Sequence, residues 1–158
     1  ICHFFKHLRI RIRRIVTRDQ IFQPHQVIRL NRTGPFAGKD DEVMQAWRAG
    51  MAELAKCPNV LLKLGGHGMP RFGFDWHLRD KPVGSEELAR QIEPLMRSCI
   101  EQFGPDRCMF ESNFPVDKVS FSHPVLFNAF KRFSKGYSPS ERAALFPDTA
   151  VRAYRIAI

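Results

Sequence analysis

Glu111 and Asn113 stand two residues apart in Phe110-Glu111-Ser112-Asn113-Phe114-Pro115, directly after a short apolar run. On an extended segment their side chains point to one side and Ser112 to the other. A carboxylate and an amide facing one pocket can orient a water or a substrate hydroxyl; the same pair can equally do no more than stitch a turn together. His67, in Gly65-Gly66-His67-Gly68, can be a ligand, a base or an ordinary loop residue. His3 and His7 are four apart, the spacing of two metal ligands on one helix face, but the chain alternates strictly through Leu8-Arg9-Ile10-Arg11-Ile12-Arg13, which reads as a strand. The glycines around His67 fit neither a P-loop nor a dinucleotide fingerprint. There is no Gly-x-Ser-x-Gly elbow and no His-Glu-x-x-His pair. Cys2, Cys57, Cys99 and Cys108 show no paired spacing and nothing resembling a zinc ribbon. Cys57, Cys99 and Cys108 sit beside apolar residues, where buried free thiols are expected, and a reducing cytoplasm is the default compartment.

These residues need elements to position them. A turn or loop is expected at Asn31 to Pro35, after a short strand at Val27 to Leu30. Asp40, Asp41 and Glu42 then place negative charge where a helix dipole favours it, and Val43, Trp47, Met51 and Leu54 recur as one buried stripe. Pro58 closes that helix. The nearly continuous apolar run Val60 to Leu64 suits a parallel strand covered on both faces. A long loop, 65–84, contains Phe72, Phe74, Trp76 and His77, and a loop of that length in a compact domain is usually functional. A helix with Ser85 as N-cap runs to Phe103, kinked or divided at Pro94 and stopped by Gly104-Pro105. Cys108 to Phe110 is the next strand. Three helices follow: one at about 123–135, one opened by a capping box at Ser138-Pro139-Ser140-Glu141, and one from near Asp148 to Tyr154. Strands alternating with helices predict an α/β protein with a parallel sheet or barrel, whose active site gathers at the carboxyl ends of the strands.

The 158 residues are 44% hydrophobic and 26% charged, enough for one domain with a real core. Disorder, collagen and coiled coil are excluded by composition. No window approaches the roughly 18 uncharged apolar residues of a membrane span, so no membrane partner is expected. A complete eightfold barrel needs about 200 residues or more, so this length accommodates only part of one. Residues 1–32 hold eight of the Lys and Arg residues and one acid, a net charge of +7, whereas the rest of the chain carries only +2. Such a basic arm can hold nucleic acid or an anionic surface without any enzymatic function, and that is the alternative reading. Aromatics are not interleaved with its arginines as base stacking requires, so nucleic acid is not expected as a partner.

The body from about Gly34 to Ile156 resembles the carboxyl-terminal portion of the amidohydrolase-related family 2, the metal-dependent-hydrolase barrels. The resemblance is carried by Cys57-Pro58-Asn59-Val60-Leu61-Leu62-Lys63-Leu64-Gly65-Gly66 and by Phe103-Gly104-Pro105-Asp106-Arg107-Cys108-Met109-Phe110-Glu111-Ser112-Asn113-Phe114-Pro115-Val116-Asp117. It implies a partial (β/α)8 TIM barrel made of the last three β/α units and the carboxyl-terminal helices, preceded by an atypical basic segment. The expected division is 1–33 for that segment, whose origin would be a truncated or shifted reading frame, and 34–158 for the barrel part. The implied activity is hydrolysis of a small lactone, or an amide, by an activated water. A divalent metal such as zinc belongs to the full-length family, with its ligands incomplete here.

By this resemblance Glu111 and Asn113 sit at the pocket floor as catalytic residues. Lys63, facing the lumen, attracts an anionic substrate; His67 and Arg32 are further substrate-binding candidates, and the long loop with Phe74, Trp76 and His77 covers the pocket. Two positions depart from the family. Asn31-Arg32-Thr33-Gly34 stands where the family has Asn-His-x-Gly, so Arg32 replaces a histidine that binds metal or the substrate carbonyl; an arginine is always protonated and cannot ligate a cation. Asn113 stands where the family has an acid, and an amide cannot be a general base, although one branch of the family carries Glu-Ser-Asn-Phe-Pro. Impaired activity and, through an unpaired sheet edge, a homo-oligomer are the consequences expected of such a fragment.

Overall fold

The computed structural model describes the backbone of residues 20–22 and all of residues 32–157. The alternating stretch 8–13, the strand expected at 27–30, the His3 and His7 pair and most of the basic arm lie outside the described residues.

Among the described residues, three strands form one parallel sheet in the order β1 (Gln20–Phe22), β2 (Val60–Leu64) and β3 (Cys108–Phe110). Gln20 is in register with Val60, and Leu62 with Cys108. β1 is a strand that the sequence reading does not anticipate: three residues carry too short a pattern to show alternation, and the strand candidates on either side, 8–13 and 27–30, are longer.

Helix α1 (Asp40–Ala55) links β1 to β2, and α2 (Ser85–Phe103) links β2 to β3. Parallel strands need crossovers of this kind, and both helices lay their apolar stripes on one face of the sheet. Trp47, Met51 and Leu54 of α1 join Leu88, Ile92, Met96 and Cys99 of α2 in a core with Val60, Leu62, Leu64, Cys108 and Phe110. After β3 come α3 (His123–Phe133), α4 (Pro139–Ala143) and α5 (Thr149–Tyr154), with a wide helical turn over Ala144–Asp148 between the last two. Phe110 stacks on Phe130 of α3 at 4.4 Å and meets Phe146 edge-on at 4.8 Å, which seals the end of β3 against the carboxyl-terminal helices. Among the described residues no helix is long and apolar enough to cross a membrane.

Several local expectations change. Gly84, not Ser85, is the N-cap of α2, and the Ser85 hydroxyl instead accepts a hydrogen bond from Arg132 Nε at 3.1 Å. The helix is not divided at Pro94, which lies on an exposed part of its surface. The loop 65–84 is not structureless: it holds helical turns at Pro70–Phe72 and Trp76–Leu78, and Phe72 and Trp76 pack into the core. The capping box forms as the sequence predicts, with Ser138 and Glu141 satisfying each other's backbone N–H groups.

Candidate active site at the strand ends

β2 alternates its side chains, so Leu62 and Leu64 face the helices while Leu61 and Lys63 face the other way; Met109 lies opposite Lys63 in register. Lys63 therefore emerges near the carboxyl end of β2 on the face away from the helices. Its Nζ lies 2.5 Å from Glu111 Oε2, the first residue after β3, whose side chain is only 11% exposed. The backbone N–H of Glu111 donates to Leu64 O at 3.2 Å and fixes where that carboxylate begins. Gly65 makes the approach feasible: a Cβ there would fall 2.3 Å from Glu111 Cγ and 2.5 Å from its carbonyl oxygen, closer than any side chain tolerates.

Asn113 does not share a side with Glu111 by strand alternation. Its φ is 53°, in the left-handed region, so the segment is no longer extended there. The amide reaches forward along the chain, and Nδ2 donates to Asp117 Oδ1 at 2.7 Å. Asp117 is fully buried and also accepts the backbone N–H of Gly68 at 3.0 Å. Ser120 closes the same link by donating to Gly68 O at 2.6 Å. A Cβ on Gly68 would lie 2.8 Å from Asp117 Cβ, so only glycine fits against this carboxylate. The ends of β2 and β3 are thus clamped by two arrangements side by side, Lys63 with Glu111 and Gly68 with Asp117, Asn113 and Ser120. Burial raises the Asp117 carboxyl above its ordinary range and the nearby Glu111 charge adds to this, while the hydrogen bonds from Asn113 and Gly68 oppose it.

Asp117 and Ser120 are the site residues that reasoning from the sequence overlooks. Asp117 lies four residues after Asn113 across a turn that begins at a strand end, and its backbone N–H donates to Asn113 O at 3.3 Å. That spacing was the available signal.

The other candidates disperse. His67 is 4% exposed and turned into the helix-side core, beside Phe72 at 5.7 Å between ring centroids and close to Trp47, Leu95 and Met96. Trp76, 2% exposed, stacks on Phe74 at 4.3 Å and donates from Nε1 to Gln91 Oε1 at 2.8 Å. His77, half-buried, stands on the wall of a cleft beside the loop 116–122. Arg32 is ion-paired with Asp40 at the start of α1, lies over the Phe74 ring at 5.8 Å, and donates its backbone N–H to Arg71 O at 2.9 Å. Its guanidinium ties α1 to the long loop, and its proximity holds the Asp40 carboxyl below its usual range.

The metal implied by the resemblance finds no ready donor set. Among the described residues no group of three or more His, Cys, Asp or Glu is placed to hold an ion. Glu111 is engaged by a lysine, and Asp117 by two N–H donors. The described residues alone do not fit zinc, which takes three or four such ligands.

A family model described as amidohydrolase matches residues 33–156. The chain is 39% identical over 133 residues to the uncharacterized protein y4mH of Sinorhizobium fredii, covering 84% of this chain and 40% of that protein. It is 33% identical over 119 residues to an L-fucono-1,5-lactonase of Burkholderia multivorans, covering 75% of this chain and 38% of the lactonase. Crystal structures of an amidohydrolase from Burkholderia multivorans superpose with TM-scores of 0.71, with bound HEPES, and 0.69, with bound zinc. Their identities are 28% and 27%, and each match covers 89% of this chain and 45% of the other. The chain spans about two-fifths of the length of the curated relatives it matches. The family match covers most of the described residues, and the chain belongs to the amidohydrolase family.

Proposed function

We propose that residues 34–158 are the carboxyl-terminal part of a (β/α)8 barrel, with a basic segment over 1–33 that lends β1 to the sheet. On this reading the three strands are the barrel's last three, and the substrate is a small lactone, an aldonolactone being favoured over an amide by the lactonase relatives. The observation that carries the reading is the Lys63–Glu111 pair at the carboxyl ends of adjacent parallel strands, on the face turned from the helices. In such folds that is the face and the end where reacting groups gather.

Water attacks the lactone carbonyl, the ring C–O bond breaks, and the product is a hydroxy acid. Glu111 takes the proton from the attacking water and returns it to the departing ring oxygen. Lys63, paired with Glu111, offsets the charge that develops on the carbonyl oxygen. Asn113 donates from Nδ2 to Asp117 and so steadies the segment that follows Glu111. Because Arg32 stands where the family has a histidine and Asn113 where it has an acid, slow turnover is expected.

The test is ring opening of aldonolactones by the 158-residue chain, followed by acid release. Slow turnover above the uncatalysed rate is expected, and Glu111→Gln should lower it by about 10²-fold or more, the scale of general base catalysis. No turnover, or a Glu111→Gln chain as active as the wild type, would overturn the reading.

A further inference from the structure

A small cavity lies on the helix side of the sheet, behind the turn Gly65-Gly66-His67-Gly68. Trp47 of α1, Leu95, Met96 and Cys99 of α2, and Gly65 and His67 of the turn are among the residues that line it. Counted over the positions open to the centre of a water molecule, its volume is about 10 Å³, which is room for one water. Lys63, by contrast, lies on the opposite face of the sheet.

The polar groups on the wall set this cavity apart from a packing gap between apolar side chains. Trp47 is 1% exposed, and its Nε1–H has no hydrogen-bond partner among the described residues. The chain's second tryptophan, Trp76, is buried as deeply but gives its Nε1–H to Gln91 at 2.8 Å. An indole N–H can only donate, and native proteins rarely leave a buried donor without an acceptor. Where the protein supplies none, an ordered water does. Acceptors for the protons of such a water stand on the same wall, in the buried Nδ1 atom of His67 and the backbone carbonyl of Gly65. A cavity lined only by apolar groups stays dry; one with a buried donor beside acceptors holds water.

We propose that this cavity is the site of one internal water, which accepts from Trp47 Nε1–H and donates to the Gly65–His67 segment, tying α1 to the turn that carries both strand-end clamps. Gly65 lies against Glu111, and Gly68 donates to Asp117. Three glycines give the turn little side-chain packing of its own, and Gly66 sits at φ 79°, in the left-handed region. His67, 4% exposed, is the side chain that the turn sinks into the core, and the water joins that anchor to the helix. The inference goes beyond the hydrolase reading and does not depend on it.

The test is a crystal structure of the 158-residue chain at a resolution that shows ordered waters, for the wild type and for Trp47→Phe. The wild-type map should hold one water peak in the cavity, within hydrogen-bond distance of Trp47 Nε1 and of His67 Nδ1 or the Gly65 carbonyl. Trp47→Phe keeps an aromatic body, removes the donor and should lose the peak. In solution the Gly68 amide of the variant should exchange with solvent about tenfold faster, the scale of one lost hydrogen bond, while amides of α3 change less. A wild-type cavity without the peak, or a peak that persists in Trp47→Phe, would overturn the water site. Gly68 exchange that is unchanged, or that rises only as much as exchange in α3, would overturn the tie to the turn. The wild-type map decides the site even where the variant does not fold. A chain that opens lactones but shows no peak overturns this inference alone, and one that shows the peak but opens no lactone overturns only the hydrolase reading.

Discussion

Asp117 shows how a single side chain can join two strand ends that the sequence keeps far apart. It is buried, accepts from Gly68 and Asn113, and still has its carboxyl raised, because loss of water outweighs the two hydrogen bonds it receives. A carboxyl raised on folding favours the native state most below its unfolded value and loses that contribution as pH rises through the folded value. Comparing urea melts of the wild type and Asp117→Asn should expose the sign. Relative to the variant, which cannot ionise here, the wild type should lose stability as pH is raised from about 3.5 towards 7; a difference that does not change with pH would contradict the assignment. The residue types at Glu111 and Asn113 were legible as chemistry in the sequence, but their partners were not. Glu111 found Lys63 across the sheet, and Asn113 left the extended path at φ 53° to reach Asp117. His67, equally conspicuous in the sequence, entered the core.

At the level of elements, Arg107 anchors the far end of the same architecture. Its guanidinium donates to the carbonyls of Ala55 at 3.1 Å, Cys57 at 3.0 Å and Phe103 at 2.8 Å, which are carbonyls at or just beyond the ends of α1 and α2. Those carbonyls have no partner within their helices, and a cation there also suits the helix dipoles. Arg107→Ala should therefore cost about 2–3 kcal/mol, the scale of hydrogen bonds to a charged group, measured by chemical denaturation. A cost under about 0.5 kcal/mol, ordinary for surface sites, would show that water replaces the guanidinium without loss. The helices themselves were readable in advance because apolar residues recur at their period: Trp47, Met51 and Leu54 in α1, and Leu88, Ile92 and Cys99 in α2. β1 was not readable, since its place is set by pairing with Val60 to Leu62 and its own three residues carry no pattern.

At the scale of the molecule, β3 pairs with β2 on one side and with no strand on the other among the described residues. An unpaired edge recruits further strands, and on the reading of the chain as part of a barrel that edge would adjoin the barrel's first strand. Sedimentation of the chain at rising concentration should therefore show reversible growth in mass, and a monomer at every concentration would tell against it. The sequence by itself determined the parallel β/α order from β2 onward, the buried stripe of each long helix, the capping box at Ser138 and the family. These are properties of one element at a time, written in its own period and end residues, or in a contiguous motif. The tertiary structure alone decided which side chains meet: Gly68 with Asp117 and Ser120, and Lys63 with Glu111. Gly68 lies 49 residues from Asp117 and 52 from Ser120. Such contacts depend on where the packed helices and the sheet register leave each strand end, and no local pattern in the chain carries that distance.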